Sequence, residues 1–232
     1  QAAFFEELGP EGVRDLERVV REATQRGMLV VMDAKRGDIG TTATAYANAF
    51  LGSGPVGSPQ YSPFGADALT VNPFLGADTL EPFVQRCDAS HSGLFVLVKT
   101  SNPGSGLLQD RVTQSETVSE CVAKHVESLS SVRRGESGYG PIGAVVGATY
   151  PEQLAAMRAL MPSAWILIPG YGAQGGSASD VRHGMDDRGL GAIVNSSRGI
   201  IFAFQQPKFA ASDWKQSVRN ATLAMIEDLT QG

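Results

Sequence analysis

The run Met28-Leu29-Val30-Val31-Met32, followed by Asp33-Ala34-Lys35-Arg36-Gly37-Asp38, decides how this chain is read. Five consecutive apolar residues predict a β-strand over 28–32, and a strand sends alternate side chains to opposite faces. Asp33 and Lys35 then point the same way, with Asp38 in the turn beyond. The carboxyl end of a parallel strand is where α/β folds build their active sites, and a lysine among carboxylates suits proton delivery. The plain alternative is a solvated salt-bridge network in a loop, since structural ion pairs use the same residue types.

Further short apolar runs occur at residues 68–71, 94–98, 144–146, 165–168 and 192–194, alternating with longer helical patterns. The helices carry apolar stripes that predict core positions: Val13, Leu16, Val20 and Ala23 in the first, Val118, Val122, Val126 and Leu129 in a middle one, and Trp214, Val218, Ala221, Met225 and Leu229 in the last. Residues 52–65 and 133–141, rich in glycine, proline, serine or charge, read as loops. Alternating strands and helices imply a parallel sheet, and at this length a (β/α)8 TIM barrel is the leading α/β architecture, with residues 1–232 as a single domain. Six strands are two short of a closed barrel. Because Ala2-Ala3-Phe4-Phe5 runs straight into the first helical pattern, the expectation is that the N-terminal strands precede Gln1 and are missing from the chain as given.

Composition narrows the function classes. A hydrophobic content of 42% with 27 glycines fits a loop-rich protein with a substantial core. A formal charge of −5 argues against a general nucleic-acid binder, so an anionic substrate would need a local basic site. Cys87 and Cys121 match no zinc or redox spacing and are expected to be reduced, Cys121 inside a helix. His91, His125 and His183 are scattered singly and read as surface or helix positions rather than ligands. The sequence has no long apolar span and no signal-like start, so no membrane partner is expected and a cytoplasmic location is the default.

Gly170-Tyr171-Gly172-Ala173-Gln174-Gly175 matches the Gly-x-Gly-x-x-Gly pattern of dinucleotide sites. That fingerprint normally follows the first strand and expects an acid at the tip of the next, whereas the next strand here ends in Asn195. Position in the order offers a better reading. The loop follows the second-last strand and Arg198 follows the last, where barrels place a phosphate site. Glycines let backbone amides approach the anion and Arg198 supplies a forked donor pair.

The run Asp33-Ala34-Lys35-Arg36-Gly37-Asp38-Ile39-Gly40-Thr41-Thr42 resembles the Asp-x-Lys-x-x-Asp signature of orotidine 5'-phosphate decarboxylases, in the form of the second bacterial subtype. Ala3-Phe4-Phe5-Glu6, Val71-Asn72-Pro73-Phe74-Leu75-Gly76, Lys99-Thr100-Ser101-Asn102-Pro103, Pro169-Gly170-Tyr171-Gly172-Ala173-Gln174-Gly175-Gly176 and Asn195-Ser196-Ser197-Arg198-Gly199 resemble that subtype too, in the same order. The resemblance implies conversion of orotidine 5'-monophosphate to uridine 5'-monophosphate without metal or organic cofactor. It implies Lys35 as proton donor, Asp33 beside the departing carboxylate, and Asp38 with Ile39 and Thr42 reaching the neighbouring subunit's site in a homodimer. It also implies Ser101 facing the pyrimidine, and Gln174 and Arg198 on the phosphate with Ser197 beside them. Thr100, Asn72 and Asn102 are further candidates, with bracing of its loop as the alternative role for Asn72. In that family a Lys-Pro-Gln segment contributes another catalytic lysine, which here would lie ahead of Gln1. Two alternatives remain open: a sugar-phosphate decarboxylase or synthase of the same superfamily using the shared motif with magnesium, and a non-catalytic nucleotide-binding module.

Overall fold

The computed structural model describes residues 1–52, 57–58, 61–172, 176–210 and 213–231. The elements run α1 (Ala3–Glu6), α2 (Gly9–Gln25), β1 (Val31–Arg36), α3 (Gly40–Phe50), β2 (Ala68–Val71), α4 (Glu81–Ser90), β3 (Gly93–Lys99), a short hairpin of β4 (Val112–Thr113) and β5 (Glu116–Thr117), α5 (Val118–Ser131), β6 (Gly140–Val146), α6 (Pro151–Leu160), β7 (Ala164–Pro169), α7 (Ala178–Arg182), β8 (Ala192–Asn195), α8 (Ser197–Ile201) and α9 (Trp214–Gln231). Six strands form one sheet in the order β1-β2-β3-β6-β7-β8, every pairing parallel. Helices follow the strands, as parallel connections require.

Two apolar layers come from strict alternation along these strands. Leu69, Leu94, Val96, Ile142, Ala144, Ile166 and Ile168 turn outward and pack with the helical residues Leu16, Phe83, Val84, Val126 and Leu154, all buried. Each such side chain contributes about 1.5–3 kcal/mol by leaving water. Ala68, Phe95, Val145 and Leu167, packed with Val31, Leu97 and Trp165, form a second cluster built of strand residues alone. Such a cluster fills the inside of a curled sheet. Gly143 makes room for it, because a Cβ there would sit 2.8 Å from the Phe95 ring.

The first strand starts later than its apolar run suggests. Gly27 leaves α2 with φ +74, and Val30 donates its N–H to the Asp67 carboxylate at 2.7 Å. Met28 and Leu29 therefore lie on the surface, 60% and 85% exposed, and pairing begins at Val31. Asp33 and Lys35 consequently sit inside β1 rather than beyond it. Strand β6 likewise begins at Gly140, within the stretch expected to be loop. Val13 and Trp214 prove exposed, whereas Leu16, Val20, Val126 and Ala221 occupy the core as expected. Both cysteines are free, and burial pushes the Cys87 thiol up to about 12.

Candidate active site

The inward face that carries Val31, Ala68, Phe95 and Leu97 continues towards the carboxyl ends of the strands as Asp33, Thr70 and Lys99. Lys35 joins Asp33 through a local distortion. Between Met32↔Leu69 and Arg36↔Val71 the register advances four residues along β1 but two along β2, and Lys35 adopts a left-handed backbone, φ +49. A bulge of this kind re-aims a side chain, and a lysine in the left-handed region is unusual enough to point to a functional position. Lys35 Nζ lies 2.5 Å from Asp33 Oδ1, with the lysine side chain 42% exposed. The Thr70 hydroxyl donates to the same Asp33 Oδ1 at 2.9 Å and accepts the Lys35 backbone N–H at 2.9 Å. Asp33 Oδ2 accepts from the Gln1 side-chain amide.

Neighbouring residues of the motif go elsewhere. Arg36 pairs with Glu6 and lies over the rings of Tyr46 and Phe50 at 5.6 and 5.3 Å, which makes it a structural cation. Asp38 Oδ1 accepts the Ile39 N–H at 2.8 Å just ahead of α3. It makes no hydrogen bond to Asp33 or Lys35 of its own chain among the described residues. Ile39, which caps α3, and Thr42 in its first turn are both exposed.

Lys99 is buried at the end of β3, and its ammonium meets Asp110 Oδ1 at 2.5 Å. Thr100 and Gln109 add two hydrogen bonds of 2.9 Å, backbone N–H to Oε1 and Nε2 to Oγ1. Together these fasten the loop that carries Ser101. Gly147 lets that loop come close, because a Cβ there would fall 2.7 Å from Ser101 Cβ. Asn72 Oδ1 accepts the Phe74 N–H at 3.0 Å and braces its own loop. Asn102 Oδ1 accepts the Thr100 hydroxyl at 2.7 Å.

At the other end of the sheet, Gly170 and Gly172 take φ values of +89 and +74, open to glycine at little cost, and Gly172 N–H closes the loop onto Gly176 O at 2.9 Å. Gln174 lies outside the described residues. Ser197 and Arg198 are exposed on α8, and the Arg198 guanidinium makes no ion pair or hydrogen bond among the described residues. Tyr171, Gly172, Ser196, Arg198 and Lys208 line a cavity of about 810 Å³ that reaches α9 at Asp228. Burial pushes the Tyr171 hydroxyl up to about 12, helped by its hydrogen bond to Asp228. Asp33 and Lys35 do not line this cavity, so the two ends of the site are distinct features. Strand β8 ends in Asn195, not in the acid a dinucleotide ribose needs. Among the described residues no three His, Cys, Asp or Glu side chains converge to hold a metal ion.

The family model for "Orotidine 5'-phosphate decarboxylase / HUMPS family" matches residues 1–213. The chain belongs to this family. It is 55% identical to orotidine 5'-phosphate decarboxylase of Rhodopirellula baltica, over 99% of the chain and 76% of that protein. The enzyme of the same name from Deinococcus radiodurans is 45% identical over 99% and 77%. Among solved structures, the OMP decarboxylase of Leishmania donovani superposes with a TM-score of 0.76 at 35% identity, over 99% of this chain and 78% of that one. The curled parallel sheet is thus part of a TIM barrel, and the chain is an enzyme of the decarboxylase family.

Two site residues escaped sequence reasoning. Thr70 is a polar residue in Ala68-Leu69-Thr70-Val71, two places after the inward Ala68, and it is fully buried. Lys99 closes the apolar run of β3, and in the sequence it stands out only as part of Lys99-Thr100-Ser101-Asn102-Pro103. In both cases a polar residue on the inward parity of a barrel strand near its carboxyl end was the available signal.

Proposed function

We infer that the Asp33–Lys35 pair decarboxylates orotidine 5'-monophosphate to uridine 5'-monophosphate in pyrimidine biosynthesis, the reaction named for the relatives. The observation that carries this reading is a lysine ammonium held 2.5 Å from a carboxylate in the barrel mouth, in a chain matched to the family over residues 1–213. The C6–carboxylate bond breaks, its electron pair stays on C6, and carbon dioxide leaves. Lys35 Nζ stabilises the developing carbanion electrostatically and then gives C6 a proton, which the amine recovers from solvent. Asp33 lies beside the departing carboxylate and holds Lys35. Ser101 faces the pyrimidine, while Arg198, with Gln174 and Ser197, takes the phosphate. A guanidinium without a partner among the described residues, beside a glycine loop, supports that last role.

The protein acts as a cytoplasmic homodimer in which Asp38, with Ile39 and Thr42, completes the partner's site. Support comes from the exposure of Ile39 and Thr42 at the start of α3 and from the lack of any bond between Asp38 and its own Lys35 among the described residues. The two free cysteines agree with a reducing compartment.

Loss of orotidine absorbance on adding full-length protein, with chelator present and no metal, is the direct test. Absence of uridine 5'-monophosphate as product would remove the reading. The shared site is tested by mixing inactive Lys35→Ala and Asp38→Asn homodimers. Random pairing gives about half heterodimers, each with one intact site, so roughly a quarter of wild-type activity returns. No recovery after confirmed subunit exchange confines Asp38 to its own chain.

A further inference from the structure

We propose that Thr70 is a positioning residue for the reaction: its hydroxyl locks the Asp33 carboxylate and the Lys35 backbone into one unit, so that the ammonium is presented at a fixed point in the barrel mouth. The inference rests on the decarboxylase reading of the Asp33–Lys35 pair.

Donors and acceptors around Thr70 fix which way each hydrogen bond runs. A threonine hydroxyl has one hydrogen to give and lone pairs to receive. Thr70 is 0% exposed, so no bulk water competes for either. The Lys35 backbone N–H, 2.9 Å away, can only donate, so the Thr70 oxygen accepts it. The hydroxyl hydrogen is then directed to Asp33 Oδ1, also at 2.9 Å. That same Oδ1 receives Lys35 Nζ at 2.5 Å. Lys35 is thereby held at both ends, its backbone by Thr70 and its tip by the carboxylate that Thr70 orients.

The register shift in β1 explains why this tie is needed. Between Met32 and Arg36 the strand ladder is interrupted, and the left-handed Lys35 has its N–H turned away from the regular β1–β2 pairing. Without Thr70 that part-buried amide would lose the acceptor it has in this structure, and the bulge that aims Lys35 would lose the hydroxyl that ties it to β2. A displacement of about 1 Å in a reacting group costs on the order of 100-fold in rate. Thr70 touches neither the reacting carbon nor the phosphate in this scheme, so its effect falls on turnover rather than on nucleotide affinity.

Three variants test it. Thr70→Val keeps the shape and removes the hydroxyl, Thr70→Ser keeps the hydroxyl and removes the methyl, and Thr70→Ala removes both. With full-length protein, Thr70→Val should lose about 10- to 100-fold in kcat, with KM and product binding within about threefold of wild type. Thr70→Ser should recover kcat to within about threefold. If Thr70→Val does not fold, Thr70→Ala against Thr70→Ser carries the same comparison. Wild-type turnover in Thr70→Val, or equal kcat losses in Thr70→Val and Thr70→Ser, would overturn the assignment. So would a loss that follows the folded fraction measured by thermal melting. A wild-type protein without turnover would instead remove the decarboxylase reading itself, so the two failures are distinguishable.

Discussion

The two ends of the barrel carry polar clusters built from the same ingredients, and they do opposite things. At the carboxyl end an aspartate, a cation and a hydroxyl are Asp33, Lys35 and Thr70. At the amino end they are Asp186, Arg188 and Tyr139. Asp186 accepts the backbone N–H groups of Arg188 and Leu190 at 2.9 Å each, the Arg188 side chain at 2.9 Å and the Tyr139 hydroxyl at 2.8 Å. Arg158 alongside donates to the carbonyls of Ala164 and Gly191 at 2.7 and 3.1 Å. Gly191 lets the cluster close, because a Cβ there would lie 2.4 Å from the Tyr139 hydroxyl oxygen. Donors and acceptors at this end are largely spent on one another, and the guanidinium groups hold their protons. Lys35 spends one of its three N–H bonds on Asp33, and among the described residues the other two are unspent. Chemistry belongs where a cation retains free donors and can release a proton; stability belongs where every donor is used.

The largest expected effect breaks the carboxyl-end cluster. Lys35→Ala should reduce kcat by at least about 100-fold and up to about 10,000-fold, the range of general acid catalysis. Its melting temperature should stay close to wild type, because an ion pair this exposed contributes about 0–1 kcal/mol. Turnover within about tenfold of wild type would show that the free N–H bonds of Lys35 are not the proton source.

Arg198→Ala addresses the other open cation. Removing a charge-assisted fork should weaken a nucleotide monophosphate by about 10- to 100-fold and leave the nucleoside almost unaffected, as titration with both ligands would reveal. Equal losses would place the phosphate elsewhere.

The same contrast explains what could be read in the sequence. Short, mostly apolar runs at 68–71 and 192–194 located β2 and β8 within a residue, because strands of a parallel sheet covered by helices are dominated by apolar residues. Alternation also pairs Asp33 with Lys35, although the structure brings them together through a bulge, and the order of the strands gives the place of Arg198 after the last one. The bulge at Lys35 was not legible, since it arises from pairing with β2 and has no glycine to mark it. Thr70 stood out only as a polar residue of inward parity, and its tie to Lys35 depends on that bulge. Met28 and Leu29 look like strand, yet the Asp67 carboxylate takes the Val30 amide and pairing starts one residue later. The amino-end cluster went unread as well. Tyr139, Arg158 and Asp186 are far apart in sequence and meet only where β6, β7 and β8 begin.

The smallest effect on turnover is expected from Asp186→Asn, and it tests the amino-end half of the contrast. The Leu190 backbone amide, with further help from Arg188 and Tyr139, holds the Asp186 carboxyl well below the ordinary carboxylate range. A carboxylate whose folded pKa is depressed contributes stability above its unfolded pKa, near 3.8 here, and loses it as pH falls through the folded value. Wild-type protein should therefore lose melting temperature below about pH 4 partly through this group. Asp186→Asn should melt lower than wild type at pH 7, with the gap narrowing as the pH approaches 3, because the amide cannot titrate. Its kcat per folded molecule should match wild type, since no residue of the cluster reaches the barrel mouth. Melting curves from pH 3 to 8 set beside kcat decide the matter. A constant gap across that range would show that Asp186 stabilises by shape alone, and a fall in kcat at full folding would mean the two ends of the barrel are coupled.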